Sequence, residues 1–234
     1  MSADVEYYTK LAGEKLHKRQ AAEDAIDNFR EAVKSAIKSC DTDAVDKCTV
    51  NLGAALVALG RTSEGLRVLE PFIPPQRDYL LAGHRWYNLG LAHEVLENTA
   101  EAVKCIQQAI KCYDESQCSD AVVLKAGSLC RLASLYTQQQ EFGQAAETYK
   151  VAAFSYSNAS DVLQQAVCLF QQARLLGWCN KAADALAVTD ECTRLCSELP
   201  DATAGKCVQL KKNDVHCIDE MSLMIRTLIV FALC

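Results

Sequence analysis

A small residue that returns at a near-fixed interval limits most strongly how this chain can fold. Gly13, Gly53, Gly90, Ala133 and Ala173 stand 40, 37, 43 and 40 residues apart. Around Gly90 the apolar residues Trp86, Leu89, Ala92 and Leu96 fall at helical spacing. A polar break at Glu97-Asn98-Thr99 follows, and a second stripe then begins at Val103, Ile106, Ala109 and Ile110. Apolar residues three and four apart share one face of a helix, so the interval holds two amphipathic helices. The second helix carries its own small residue, at Ala25, Gly65, Ala102, Ala145 and Ala185. One turn later comes the residue that faces the first helix: Phe29, Leu69, Ile106, Tyr149 and Thr189. Small against large lets two antiparallel helices pack closely. A repeat of this length is the signature of a stacked array, because one hairpin cannot bury its apolar face alone.

On these residues the chain resembles the tetratricopeptide repeat (TPR) family, most directly through Trp86, Leu89-Gly90, Ala102, Ile106 and Ala109. The resemblance implies an all-α, right-handed α-solenoid of about five helical hairpins plus a C-terminal helix. The solenoid is expected over residues 1–200, with repeats near 5–40, 42–73, 79–115, 119–156 and 160–198. The helices run longer than those of the roughly 34-residue repeat, and in this they are similar to kinesin light chains and to the polarity adaptors that hold spindle-orientation complexes. Asp41 or Thr42, Ser119-Asp120 and Ser160-Asp161 stand where helix starts need capping oxygens. Gly60 stands where a left-handed terminator is expected. Pro71, Pro74 and Pro75 shorten the second helix of the second repeat, since proline lacks the N–H and clashes with the preceding turn.

Residues 201–234 depart from the pattern. A polar stretch is followed by an apolar run from Met221 to Cys234 that contains Arg226. A spanning helix needs about 20 apolar residues, so the first expectation is a capping helix packed on the fifth hairpin. An apolar tail that contacts a membrane is the second, and a chain that continues into further repeats would end in the same way.

The net charge is −6 with pI ≈ 5.3, and no Lys/Arg block stands out, so nucleic acid is not an expected partner. The first residues, Met-Ser-Ala-Asp-Val-Glu, lack the apolar core of a secretory signal. A cytoplasmic location follows as the expectation, with the thirteen cysteines reduced and mostly buried. Cys192, Cys196, Cys207, His216 and Cys217 are the metal-ligand candidates, and they lack the paired spacing that zinc sites use. No cofactor is expected. The chain shows no glycine-rich phosphate loop and no nucleophile beside a base, so no catalysis is expected either.

The TPR resemblance implies a concave face lined by the first helix of each hairpin, where a peptide or an amphipathic helix can lie. Two residues before the recurrent small residue stand Leu11, Asn51, Asn88, Arg131 and Gln171; one residue after it stand Glu14, Ala54, Leu91, Ser134 and Arg174. Asn51, Asn88, Leu91, Arg131 and Arg174 are the candidate groove residues. An asparagine there can bond a ligand backbone or simply its own helix. The carboxylate clamp of chaperone-binding TPR proteins is not matched: Lys10 and Asn51 fit, but Glu14 stands where the anion would sit. The asparagine that follows the repeated Leu-Gly in spindle adaptors is replaced by Ala54 and Leu91. The resulting expectation is a non-catalytic protein-interaction adaptor. A second reading is a membrane-trafficking adaptor, similar to the long-helix arrays that bind SNARE bundles through basic surfaces, with the apolar tail as its membrane contact.

Overall fold

The computed structural model describes residues 3–16, 22–71 and 78–198. Among the described residues it is all-helical, without strands. Six helices form a first compact unit within Met1–Gln117: α1 (Ala3–Leu16), α2 (Ala22–Lys38), α3 (Thr42–Ala58), α4 (Thr62–Leu69), α5 (Tyr79–Val95) and α6 (Thr99–Glu115). Four more form a second unit within Cys118–Cys234: α7 (Ala121–Gln138), α8 (Phe142–Asn158), α9 (Val162–Trp178) and α10 (Ala182–Glu198). Within each unit every helix packs on the next, and in the first unit α5 also packs on α3. This is the TPR-type arrangement of adjacent helical hairpins. The expected C-terminal helix of residues 201–234 lies outside the described residues, as do Pro74 and Pro75.

The recurrent small residues do what their spacing predicts. In the first unit, a methyl group added at Gly53 would run into the Leu69 side chain across the α3–α4 contact. At the α5–α6 contact, one added at Gly90 would come within 2.6 Å of Ile106 Cδ1. Ala25 and Ala102 are fully buried. In the second unit Ala133, Ala145, Ala173 and Ala185 are buried in the same way. Because these faces have no bulk, Ile26, Leu56, Leu69 and Ile106 can fill the space between the helices of the first unit. Leu135 and Leu175 do so in the second. Burying a side chain of this size is worth about 1.5–3 kcal/mol.

One turn geometry closes six of the junctions. Cys40, Gly60, Glu97, Gln140, Ser160 and Asn180 all adopt left-handed backbone, with φ between 51° and 82°. At each, the next amide reaches back to a carbonyl five residues earlier, as in Arg61 N–H to Leu56 O at 2.8 Å and Glu141 N–H to Tyr136 O at 2.9 Å. This Schellman pattern satisfies carbonyls that the helix end leaves open. Three helices, α3 and α9 after such turns and α5 after the end of α4, start with an aspartate cap. Asp41 accepts from Ala44 N–H at 3.0 Å, Asp78 from Leu81 N–H at 2.9 Å and Asp161 from Gln164 N–H at 3.1 Å. The Ala44 N–H bond holds the Asp41 carboxyl below its usual range. Asp120 makes no such side-chain bond, so Ser119-Asp120 opens α7 without a cap.

α4 spans only eight residues and stops at Leu69, two residues before Pro71. Its last carbonyls are taken by a buried cation. Arg85 of α5 donates from Nε to Leu69 O at 2.7 Å and from Nη2 to Glu70 O at 2.8 Å. Its guanidinium also lies 4.8 Å from the centre of the Trp86 ring. A cation at a helix C-terminus meets the negative end of the helix dipole, and two charge-assisted bonds offset the cost of burying it.

Candidate protein-binding face

Of the five candidate groove residues, Asn51, Asn88 and Leu91 belong to the first unit and Arg131 and Arg174 to the second. Asn51 is exposed on α3. Asn88 is half-buried on α5, and its Nδ2 donates to His84 O at 2.8 Å, one turn back in the same helix. One N–H of this amide is thus engaged with its own backbone, while its oxygen makes no part of that bond. Leu91 is half-buried and packs on the cluster of Val57, Leu69, Leu89, Ala92 and Cys105. Beneath this region the Tyr113 hydroxyl lies 3.2 Å from His84 Nδ1, with the two rings edge to face. Burial pushes the Tyr113 phenol up and the His84 imidazolium down, so a protonated phenol faces a neutral ring.

In the second unit Arg131 of α7 and Arg174 of α9 both act on Tyr149 of α8. Burial pushes the Tyr149 hydroxyl up to about 12, and the two guanidinium charges pull against that shift. The phenol therefore stays a neutral donor at physiological pH. Arg174 extends along its helix to Trp178, one turn on, with its guanidinium 5.2 Å from the ring centre. Trp178 in turn meets Phe142 edge-on at 5.1 Å and remains 53% exposed. Arg174 Nε is buried and donates to no protein group, and the Gln171 oxygen beside it on α9 is likewise buried without a protein partner. A buried polar group without a partner costs free energy.

The sequence reading missed Trp178, Phe142 and Tyr149 as members of this face. Arg174 and Trp178 stand four residues apart, which puts them on one face of a helix, and that spacing is the signal that was available. A second feature lies between α8, α9 and α10, a cleft of about 480 Å³ bordered by Glu147, Lys150, Phe154, Leu169, Gln172 and Glu191. The Gln172 oxygen is buried there without a protein partner.

The ten described cysteines are free thiols. Cys48, Cys105, Cys168 and Cys192 are buried, whereas Cys40 and Cys118 are exposed. Among the described residues no group of three His, Cys, Asp or Glu side chains could hold a metal ion. Cys192 donates to Ala166 O at 3.4 Å, and Cys207, His216 and Cys217 lie outside the described residues. Among the described residues no helix is long and apolar enough to cross a membrane.

Adjacent long helical hairpins with buried small-large contacts define a TPR-like repeat protein. More narrowly, the family model "Soluble NSF attachment protein, SNAP" matches residues 76–206, more than half of the chain, and the chain belongs to that family. Among solved structures it is similar to the nearly identical TPR-like repeats of a putative kinesin light chain from Podosopora anserina. The TM-score is 0.61 at 15% identity, covering 83% of this chain and 97% of that one. A singly substituted form of the same repeats matches equally, with 96% of that chain covered. BtubC (BKLC) from P. vanneervenii matches at TM-score 0.50 and 12% identity, covering 98% of this chain and 93% of that one. At these identities the likeness concerns the fold. No curated protein matches this chain.

Proposed function

We propose that this chain is a non-catalytic adaptor that binds a protein partner, a peptide or an amphipathic helix, on the first-helix faces of its hairpins. The observation that carries this reading is Arg174. Its guanidinium lies against the half-exposed Trp178, its Nε has no protein partner, and its charge acts, as does that of Arg131, on the Tyr149 phenol. Arginine and tryptophan side by side are the residues that most often dominate binding energy at interfaces. A partner helix with acidic or carbonyl acceptors beside an apolar stripe would meet the half-buried Arg174 side chain and the exposed Trp178 ring. Asn51, Asn88 and Leu91 form the corresponding face of the first unit.

The test is affinity capture with the immobilised chain, comparing the parent with Arg174→Ala and Trp178→Ala. Partners that use this face are lost from both variants while far-ultraviolet circular dichroism stays unchanged. An identical set of partners at identical yield would contradict the reading.

A second reading, as a membrane-trafficking adaptor for SNARE bundles, is favoured by the family match over residues 76–206. The family's name describes attachment of NSF. Binding of purified NSF and of a purified SNARE bundle, weakened by added salt, would support it. Liposome flotation with and without residues 221–234 tests the membrane contact of the tail. Failure of both proteins to bind at low salt would remove this reading and leave the first one standing.

A further inference from the structure

Cys130 of α7 and Cys168 of α9 come from successive first helices of the second unit, 38 residues apart, and their sulfur atoms are 3.2 Å apart. Cys130 is half-buried and Cys168 is fully buried. A disulfide has its sulfurs about 2.05 Å apart, so a closure of about 1 Å separates this thiol pair from a bond. We infer that Cys130 and Cys168 are a reversible oxidation site that a small disulfide such as glutathione disulfide converts to an intramolecular disulfide.

The surroundings set the order of events. The hydrogen bond between the two thiols and, more weakly, the Tyr156 side chain hold the Cys130 thiol below its ordinary value, while burial opposes this. That same bond and burial push Cys168 up. The Tyr156 hydroxyl reaches α7 at Gly127, one turn before Cys130. The thiolate, not the thiol, is the nucleophile, so Cys130, which is also the more accessible sulfur, attacks first. Its thiolate forms a bond to one sulfur of glutathione disulfide, and the S–S bond of that reagent breaks to release one glutathione thiolate. Cys168 then loses its proton to the released thiolate, and its sulfur attacks Cys130. The Cys130–glutathione bond breaks and the second glutathione leaves. Two protein thiols have been oxidised and one glutathione disulfide has been reduced to two glutathiones. The new bond would tie α7 to α9 one residue from Arg131.

The experiment treats the native full chain with glutathione disulfide, alkylates the remaining thiols and maps the peptides without reduction. The expected result is a crosslinked peptide pair joining Cys130 to Cys168, lost on treatment with dithiothreitol. The exposed Cys40 and Cys118 take up glutathione in the same sample and report that the oxidant acted. Cys168→Ser should accumulate glutathione on Cys130, because the second step cannot occur. Recovery of both Cys130 and Cys168 as alkylated thiols, or of glutathione on Cys130 without the crosslink in the parent, while Cys40 and Cys118 are modified, would overturn the inference. The parent map decides this even if the buried Cys168→Ser side chain prevents folding.

Discussion

Gly90 and Ile106 share one volume at the α5–α6 contact. A β-carbon on residue 90 would meet Ile106 Cδ1 at 2.6 Å and Cγ1 at 2.8 Å. The contact is why the recurrent position tolerates so little bulk. Gly90→Leu should overpack it and destabilise the chain by about 1–3 kcal/mol. Urea unfolding followed by circular dichroism reads this directly, and a variant with the parent's midpoint would refute the small-large account of the hairpin.

Arg85 closes the C-terminal end of α4 with two hydrogen bonds from inside the first unit. Replacing it by methionine keeps much of the volume but leaves Leu69 O and Glu70 O without those donors. The expected loss of stability is about 2–4 kcal/mol, from two charge-assisted bonds and unpaired carbonyls. Arg85→Lys should recover only part of it, because an ammonium cannot present the same fork. Equal stability of the three proteins in a urea titration would show that the contact contributes nothing.

His84 makes the first unit sensitive to mild acid. Burial lowers its pKa, against a weaker opposite pull from Asp78, and Nδ1 faces the protonated Tyr113 hydroxyl. The folded state therefore binds a proton less readily than the unfolded chain, whose imidazole titrates near about 6.5. The stability is fully present above that pH. It falls as pH drops below that value and levels off once pH is below the folded pKa. Unfolding midpoints at about pH 7.5 and about pH 5.5 should differ for the parent and converge for His84→Gln. A pH-independent parent would contradict this.

The left-handed turns allow paired substitutions of opposite sign. Gly60 has φ of 82° and open space where a β-carbon would stand, so Gly60→Ala tests the backbone alone. It should cost about 1–2 kcal/mol. Gln140 adopts φ of 62° with a side chain present. Gln140→Gly should stabilise by about 0.5–1 kcal/mol after the extra freedom of the unfolded chain is counted. Thermal melts of the two variants should move in opposite directions; melts that move together would count against a backbone origin.

The fold was legible because two periodicities coincide in the sequence. The helical spacing of Trp86, Leu89 and Ala92 and the return of a small residue about every 40 positions both specify hairpins, and Gly53–Leu69 and Gly90–Ile106 realise them. The turns were less legible. Gly60 and, more weakly, Asn180 signal left-handed backbone, but Cys40, Glu97, Gln140 and Ser160 adopt the same conformation with side chains that carry no such signal. Their conformation is imposed by the helices that meet there. Arg85 was unreadable for a related reason. An arginine in a helix looks like a solvated surface cation, and only the early end of α4 opens carbonyls that draw it inside. At the candidate face, position in the repeat pointed to Arg131 and Arg174. Trp178 was within reach of the same reasoning, four residues after Arg174 on α9, whereas Tyr149 joins them from α8 through packing between α7, α8 and α9, which spacing along one helix does not encode.

The central claim, that the first-helix faces bind a protein partner, is tested most directly by titrating a purified, labelled partner against the parent and Arg131→Ala. Arg131 stands on α7, and its charge acts on the Tyr149 phenol as that of Arg174 does. Fluorescence anisotropy should show a loss of about 1–3 kcal/mol in binding free energy for the variant, with helicity unchanged. A variant that binds its partner as tightly as the parent would place recognition on another face, the cleft between α8, α9 and α10 or residues 221–234.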